Sequence, residues 1–388
     1  MSIVLLVHQS SEMYGSDKVL LLLAQGLRLN GQFHPVVVLP GTGPLHDALA
    51  ASGVEVHLGE VAKISRAMFT PRGFFRLVWQ TVQAIRNLDR VVGGRPIAVV
   101  HSNTLAVLSG AVWAFLRRKK HLWHVHEIIV SPKLVSKAFP RLVNRLSDRV
   151  MSNSSLTERW LLSEQPALAA RSVVVSNGLP VVAKPSTRAI QAFRESIGAA
   201  DSDVVLTLAG RINRMKGQAL LLEAMTLLKH RNRAASLRVV IVGGPAPGLE
   251  DLPARLKAQS VSAGLADQCS FIPFVDDIWP VWFGTDIAVV PSTEPESFGM
   301  VAIEAMAAGV PVIAANHGGV LDILLHEQTG LLFPPRDALA LADAIERLAS
   351  DEPLRRRLGA AGATRQREFF SVERQVECTA KVYEGMIR

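Results

Sequence analysis

Short, wholly apolar runs alternate along the chain with longer segments whose apolar residues recur every three or four positions. SIVLLVH, HPVVVLP, VEVHL, IAVVHS, HLWHVHE and DRVMSNS read as strands, and RSVVVSNGLP as a last strand with an exit turn near Pro180. Helical spacing fills the gaps at residues 18–29, 45–51, 74–89 and 105–116, the first closing at Asn30-Gly31, a natural helix stop. The pattern then restarts. DVVLTLAGR, LRVVIVGG, CSFIPFV, DIAVVPS and VPVIAAN predict strands, with helices over residues 217–230, 252–263, 299–308, 339–349, 352–361 and 371–386. TGLLFPPRD reads as a hairpin-like structural return. Strands this apolar on both sides, interleaved with helices, predict parallel sheets covered on both faces.

The restart places a domain boundary near residues 178–185, and 388 residues suit two cores better than one. The fold class expected is α/β, with two Rossmann-like αβα domains over residues 1–180 and 181–365 and a last segment, 366–388. Ligands of such sheets bind beyond the carboxyl ends of the strands.

The strongest chemical signal is PSTEPESFGMVAIEAMAAGVP, residues 291–311. A strand ends in a polar loop, and Gly299, Met300 and Val301 open a helix whose first N–H groups suit a phosphate. Glu296 stands before that helix. Glu304 stands inside it among Val301, Ala302, Ile303, Ala305 and Met306, an awkward place for an acid with no task. A carboxylate at either position can accept hydroxyl hydrogen bonds from a ribose or a hexose. The second signal, LTLAGRINRMKGQALLLEA, puts Arg211, Arg214 and Lys216 between a strand and a helix. Arg211 and Lys216 are the candidates for a diphosphate, one a fork and the other a point charge. In HQSSEMYGSDK, Gly15 allows close approach of backbone to a ligand, and Asp17 reads equally as a simple first-turn acid. His126 and His101 end strands and can line a site, with a structural role equally open for His101 and His124. No further ligand matches the spacing of His124 and His126, so no metal is expected. Gly318-Gly319 marks a turn that brings backbone close to a ligand or a neighbouring loop.

The net charge of +8 gathers modestly at residues 117–120 and at Lys133, Lys137, Arg141 and Arg145. An anionic membrane surface or a plain solvated face both fit, while nucleic acid does not, for want of a long basic tail or zinc-finger spacing. The apolar stretch 105–116 is too short to cross a bilayer. The first residues read as a strand, not a leader, and two distant cysteines fit a reducing compartment. A cytoplasmic protein, peripheral at the inner face of the cell membrane, is the expected setting.

These motifs resemble those of the retaining glycosyltransferase family 4, with its GT-B fold of two Rossmann-like domains facing each other across a cleft. The resemblance spans nearly the whole chain. It rests most on Glu296 and Glu304, with seven residues between them, on Gly210-Arg211 with Lys216-Gly217, on the turn 14–17, on His126 and on Asn177-Gly178. It implies transfer of a hexose from a GDP- or UDP-linked donor to a glycan or polyprenyl-linked glycan, in bacterial surface polysaccharide or lipopolysaccharide assembly, with no other cofactor. It implies that Arg211 and Lys216 neutralise the diphosphate, Glu304 holds the ribose, Glu296 and His126 contact the donor sugar, and backbone at 299–301 completes the pocket. The base would lie near Phe274 and Val275. Gly15 would let its loop approach the diphosphate, and the last helix would cross back onto the first domain. Same-face attack, with the leaving phosphate taking the acceptor's proton, is the family's account of retention. Asp17 stands in place of the family's usual glutamate, and Leu179-Pro180 in place of Val-Asp. A sugar-nucleotide epimerase and a silent sugar-nucleotide-binding protein are the alternatives.

Overall fold

A computed structural model describes residues 1–64, 70–129 and 132–388. It divides into two compact units: unit 1 comprises Met1–Pro180 and Phe370–Arg388, and unit 2 comprises Val181–Phe369.

Unit 1 is a seven-stranded sheet, β1 (Ser2–His8), β2 (Phe33–Leu39), β3 (Glu55–Leu58), β4 (Ile97–Asn103), β5 (His121–Val125), β6 (Arg149–Ser152) and β7 (Ser172–Val174). The strands run parallel in the order β3-β2-β1-β4-β5-β6-β7. Alternate residues of β1 feed two cores. Val4 and Leu6 pack with α1 (Gly15–Asn30) and the C-terminal helix α15 (Val372–Ile387), whereas Leu5 and Val7 pack under α3 (Pro71–Val92) and α4 (Leu108–Leu116). The remaining helices of this unit are α2 (Pro44–Ala51), α5 (Lys133–Leu146) and α6 (Ser155–Glu164). Tyr383, fully buried on α15, meets Phe33 edge-on with ring centroids 5.3 Å apart, so the end of the chain belongs to the core of the first unit.

Unit 2 repeats the plan with β8 (Val204–Ala209), β9 (Leu237–Val242), β10 (Cys269–Ile272), β11 (Ile287–Val290), β12 (Val312–Ala315) and β13 (Gly330–Phe333), all parallel, in the order β10-β9-β8-β11-β12-β13. Its helices are α7 (Thr187–Ser196), α8 (Gln218–His230), α9 (Leu252–Ser262), α10 (Trp279–Phe283), α11 (Met300–Ala307), α12 (Val320–Ile323), α13 (Ala338–Ser350) and α14 (Glu352–Phe369). One expectation is corrected here. TGLLFPPRD is no hairpin return: Gly330–Phe333 pairs in parallel with Val312–Ala315 as an edge strand. Gly330 at its start and Pro334-Pro335 just beyond its end give the segment the look of a turn.

Both sheets are doubly wound and share one strand order. The direction of crossover reverses between β1 and β4 in unit 1 and between β8 and β11 in unit 2. Such a reversal opens a crevice at the carboxyl edge of the sheet.

Candidate active site

In unit 2 the two strongest sequence signals meet at the β8/β11 reversal. β8 ends at Gly210, whose φ of +133° only glycine adopts without strain, and the loop through Asn213 to Gly217 turns into α8. β11 ends at Pro291 and Ser292. The two loops are locked backbone to backbone. Thr293 N–H donates to the Met215 carbonyl at 2.7 Å, and a Cβ on Gly217 would lie 2.0 Å from the Pro291 carbonyl oxygen. Gly318-Gly319 packs against the glutamate loop: Gly319 N–H donates to Glu296 O at 2.8 Å, and a Cβ on Gly319 would lie 2.4 Å from Ser297 O. The neighbouring loop expected there is thus that of Glu296.

This scaffold brings Lys216 Nζ to 2.6 Å from Glu296 Oε2, both side chains about four-fifths buried. Ser292 Oγ donates to the other Glu296 oxygen, and His317 Nε2 lies 2.7 Å from Ser292 O. Burial alone would raise the Glu296 pKa. The charge and hydrogen bond of Lys216, with Ser292 and His317, outweigh burial and hold the carboxyl below its ordinary value. Two opposite charges are thereby kept together at the carboxyl edge of the sheet.

Gly299 caps α11 with a φ of +118°, and Met300 and Val301 are half-buried in its first turn. Glu304 is half-buried one turn further along. Arg211 is exposed beyond β8. Phe274, 55% exposed, and the half-buried Val275 follow the end of β10.

Unit 1 presents a different edge. Gly15 begins α1, exposed, with open space where a Cβ would stand. Asp17 is more than a first-turn acid. It is buried, its Oδ2 accepts from Tyr14 N–H at 2.9 Å, and its Oδ1 lies 2.6 Å from His8 Nε2. His126 follows β5, with Nε2 2.9 Å from Asn103 Oδ1. Burial and the nearby His8 depress its pKa to about 3. Behind it, His101 lies 2.5 Å from the Tyr383 hydroxyl, and His121 bonds Ser102 Oγ at 2.9 Å and Leu146 O at 2.7 Å. His124 stacks on His126 with ring centroids 3.8 Å apart, and among the described residues neither of its ring nitrogens has a hydrogen-bond partner. No group of three or more metal-ligating side chains is arranged to hold an ion among the described residues. Sequence reasoning missed His8. A strand-end histidine nine residues before an acid was the signal available.

The helical layer of unit 1 carries a further surface. On α3, Phe74, Phe75, Val78, Trp79 and Val82 share one face and are 41–71% exposed. Arg72 and Arg76 flank them. α4 packs against both α3 and α5, and α5 exposes Lys133, Lys137, Arg141 and Arg145 along one stripe beside Leu134. Within the run at 117–120, Arg117 is paired with Asp89 and Lys120 with Asp148. No helix is long and apolar enough to cross a membrane among the described residues.

Residues 14–181 match the family described as Glycosyltransferase Family 4, and residues 189–365 match Glycosyl transferases group 1. A D-inositol 3-phosphate glycosyltransferase of Nocardioides sp. is 30% identical over 325 residues, 77% of this chain and 70% of that protein. The counterpart from Rhodococcus opacus is 36% identical over 240 residues, 61% of this chain and 53% of its own. The chain thus spans about half the length of the curated relatives that match with higher identity. Among solved structures, the Anabaena protein HepE in complex with UDP and glucose superposes with a TM-score of 0.84 at 23% identity, covering 99% of this chain and 100% of that one. A glycosyltransferase from Rickettsia africae does so at 0.85 and 19%, covering 100% and 99%. The chain belongs to the family 4 type of glycosyltransferases, with the GT-B fold.

Proposed function

We propose that this protein transfers a hexose, with retention of configuration, from a nucleotide-diphosphate sugar to a glycan or lipid-linked glycan. The observation that carries the reading is the Lys216–Glu296 pair at the β8/β11 reversal, beside the start of α11. When the bond from the anomeric carbon to the diphosphate breaks, negative charge grows on the leaving phosphate. Fixed cations and N–H dipoles at that point stabilise the transition state more than the ground state. Lys216 and Arg211 supply the cations, and the N–H groups at Gly299 to Val301 supply the dipoles. Glu296, released from part of its bond with Lys216 by the incoming phosphate, accepts hydroxyls of the sugar. Glu304 accepts those of the ribose, and the base settles near Phe274 and Val275. UDP and UDP-glucose in the Anabaena HepE structures make a UDP-sugar the first donor to try, before a GDP-linked one.

Unit 1 takes the acceptor, with Gly15 and His126 at its carboxyl edge. The aromatic face of α3 and the cationic stripe of α5 suit an anionic membrane, and with it a lipid-linked acceptor of surface polysaccharide assembly. The names of the curated relatives make inositol 3-phosphate the soluble acceptor to set beside it.

Binding of UDP-, GDP-, ADP- and dTDP-sugars to the wild type, Lys216→Ala and Glu304→Ala tests the assignment by calorimetry. One sugar nucleotide should bind the wild type and lose about tenfold or more in affinity in each variant, the loss of one charged hydrogen bond. Equal affinity in all three proteins would refute the site.

A further inference from the structure

At the β1/β4 reversal of unit 1, Asp17, His8, Asn103 and His126 form one chain of hydrogen bonds. All four are buried, from 0% exposed at His8 and Asn103 to 7% at His126. The links measure 2.6 Å from Asp17 Oδ1 to His8 Nε2, 3.0 Å from His8 Nδ1 to Asn103 Nδ2, and 2.9 Å from Asn103 Oδ1 to His126 Nε2.

Donors and acceptors along this chain have a fixed direction. Burial would raise the Asp17 pKa, but His8, the Tyr14 N–H and Ser10 outweigh it and keep the group a carboxylate. A carboxylate only accepts, so the proton between the first two residues sits on His8 Nε2. On the other side of the ring, His8 Nδ1 faces the Asn103 Nδ2 hydrogens at 3.0 Å, nearer than the Asn103 backbone carbonyl at 3.4 Å, and receives one of them on its lone pair. The Asn103 amide is held this way round because Nδ2 also lies 3.4 Å from the Ser16 carbonyl oxygen, where an amide oxygen would be repelled. Asn103 Oδ1 therefore faces His126, and it can be satisfied only by a proton on His126 Nε2. The depressed pKa of His126 leaves that ring neutral, with one proton to place.

We propose that Asp17, His8 and Asn103 are positioning residues that hold His126 in its Nε2–H tautomer, so that Nδ1 offers a lone pair to a substrate hydroxyl. The inference rests on the reading that His126 meets substrate. Asp17 makes no hydrogen bond to His126 or Asn103; besides the direct pull of its charge on the His126 proton, it acts on that ring through proton positions along the chain. The logic is that of any histidine whose second nitrogen is set by an outer partner.

Asp17→Asn tests the relay at its far end. The new side chain keeps its oxygen toward the Tyr14 N–H and turns its NH₂ toward His8 Nε2. His8 then carries its proton on Nδ1, and because two N–H groups facing each other at 3.0 Å repel more than an amide oxygen 3.4 Å from Ser16 O, Asn103 turns its oxygen toward His8 and its NH₂ donates to His126 Nε2. His126 is left with its proton on Nδ1. Long-range proton–nitrogen correlation on the ¹⁵N-histidine-labelled full chain reads the tautomer, with His126 assigned by His126→Gln. Nε2–H in the wild type and Nδ1–H in Asp17→Asn is the expected result. Asn103→Asp, which can only accept, should keep His126 as Nε2–H and make His8 doubly protonated. Turnover of sugar transfer by Asp17→Asn should fall about 10- to 100-fold, the usual worth of an orienting outer partner, with the donor KM little changed. An unchanged His126 tautomer in folded Asp17→Asn overturns the relay, and so does a switched tautomer with unchanged turnover. If the wild type transfers no sugar, the functional reading fails while the tautomer measurement still decides the relay.

Discussion

Acidification should open unit 1 long before an ordinary domain of its size would yield. Four histidines lie inside it with depressed basicity. Burial brings His101 to about 3 and His121 to about 4, the latter against the Leu146 carbonyl and Asp148. Burial and His8 bring His126 to about 3, and burial with His126 and His101 holds His124 well below the ordinary value. An unfolded histidine titrates near ~6.5. Between about pH 6 and 5 the unfolded chain therefore binds up to four protons that the folded unit refuses, so stability falls as pH falls. Glu127, pushed up by burial, works in the opposite sense. Four protons set an upper bound of ~5 kcal/mol per pH unit, against ~5–15 kcal/mol for a whole domain. Urea unfolding followed by tryptophan fluorescence from pH 8 to 4.5 measures this, because Trp113 and Trp123 are buried in unit 1. Limited proteolysis identifies which unit opens first. His124→Leu removes one refused proton, so it should lower the slope by ~1.4 kcal/mol per pH unit and raise stability at pH 8. A urea midpoint that stays level between pH 7.5 and 5 would refute the reasoning, since the imidazoles would then be charged or hydrated inside the fold.

Gly319→Ala should destabilise unit 2 by ~1–3 kcal/mol in denaturant melts, because its Cβ would press on Ser297 O and Phe298 Cα at 2.4 and 2.6 Å. Gly15→Ala meets open space and should leave stability unchanged, so any loss of donor affinity reports ligand approach. Trp79→Ser with Phe75→Ser should abolish co-sedimentation with vesicles rich in phosphatidylglycerol while leaving the melting temperature within a few degrees, both side chains being more than half exposed. Tyr383→Phe removes the hydroxyl beside His101 Nδ1 and should cost ~1–3 kcal/mol by urea titration.

The order of elements was readable because each strand is apolar on both sides and each helix follows its own period. The exceptions sit at turn-forming or helix-breaking residues: β13 begins at Gly330 and runs into Pro334-Pro335, and the four-residue α12 follows Gly318-Gly319. Residues 133–146 carry Pro140 inside the helix, a breaker in any sequence reading, and α5 runs through it. Lys216 and Glu296 were legible as types beside strand ends, though nothing local says that they touch across 80 positions. The histidine chain was half legible. His8 and Asp17 lie nine residues apart across one strand-to-helix turn, whereas Asn103 arrives 95 residues later through the β1/β4 crossover. Tyr383 reaches His101 over 282 positions, a partner that only the docking of α15 supplies. The aromatic face of α3 was hidden for the opposite reason: its spacing is that of any core helix, and burial alone distinguishes an inward stripe from an outward one.

The two carboxyl edges are built by different means, and the difference bears on what each can recognise. In unit 2 the loops are joined through backbone. A Cβ on Gly217, Gly243 or Gly319 would fall within 2.4 Å of a carbonyl oxygen in a neighbouring loop, and one on Gly318 within 2.9 Å of Glu296 N. Side-chain replacement cannot easily move such an edge, which would suit the unvarying diphosphate of the proposed donor. Among the described residues of unit 1 the comparable contacts are Gly43 against Ser11 O at 2.6 Å and, where the chain end docks, Gly178 against Ser371 O at 2.3 Å, while Asp17, His8, Asn103 and His126 link the β1 and β4 ends through side chains. Side chains can be exchanged without moving strands, so under the proposed function that edge could be retuned for one acceptor or another with the unit 2 edge left as it is. A buried imidazole network costs stability at low pH, and a leucine-filled edge would not. The cost is intelligible if the edge must present a lone pair in a set direction, which no apolar side chain supplies.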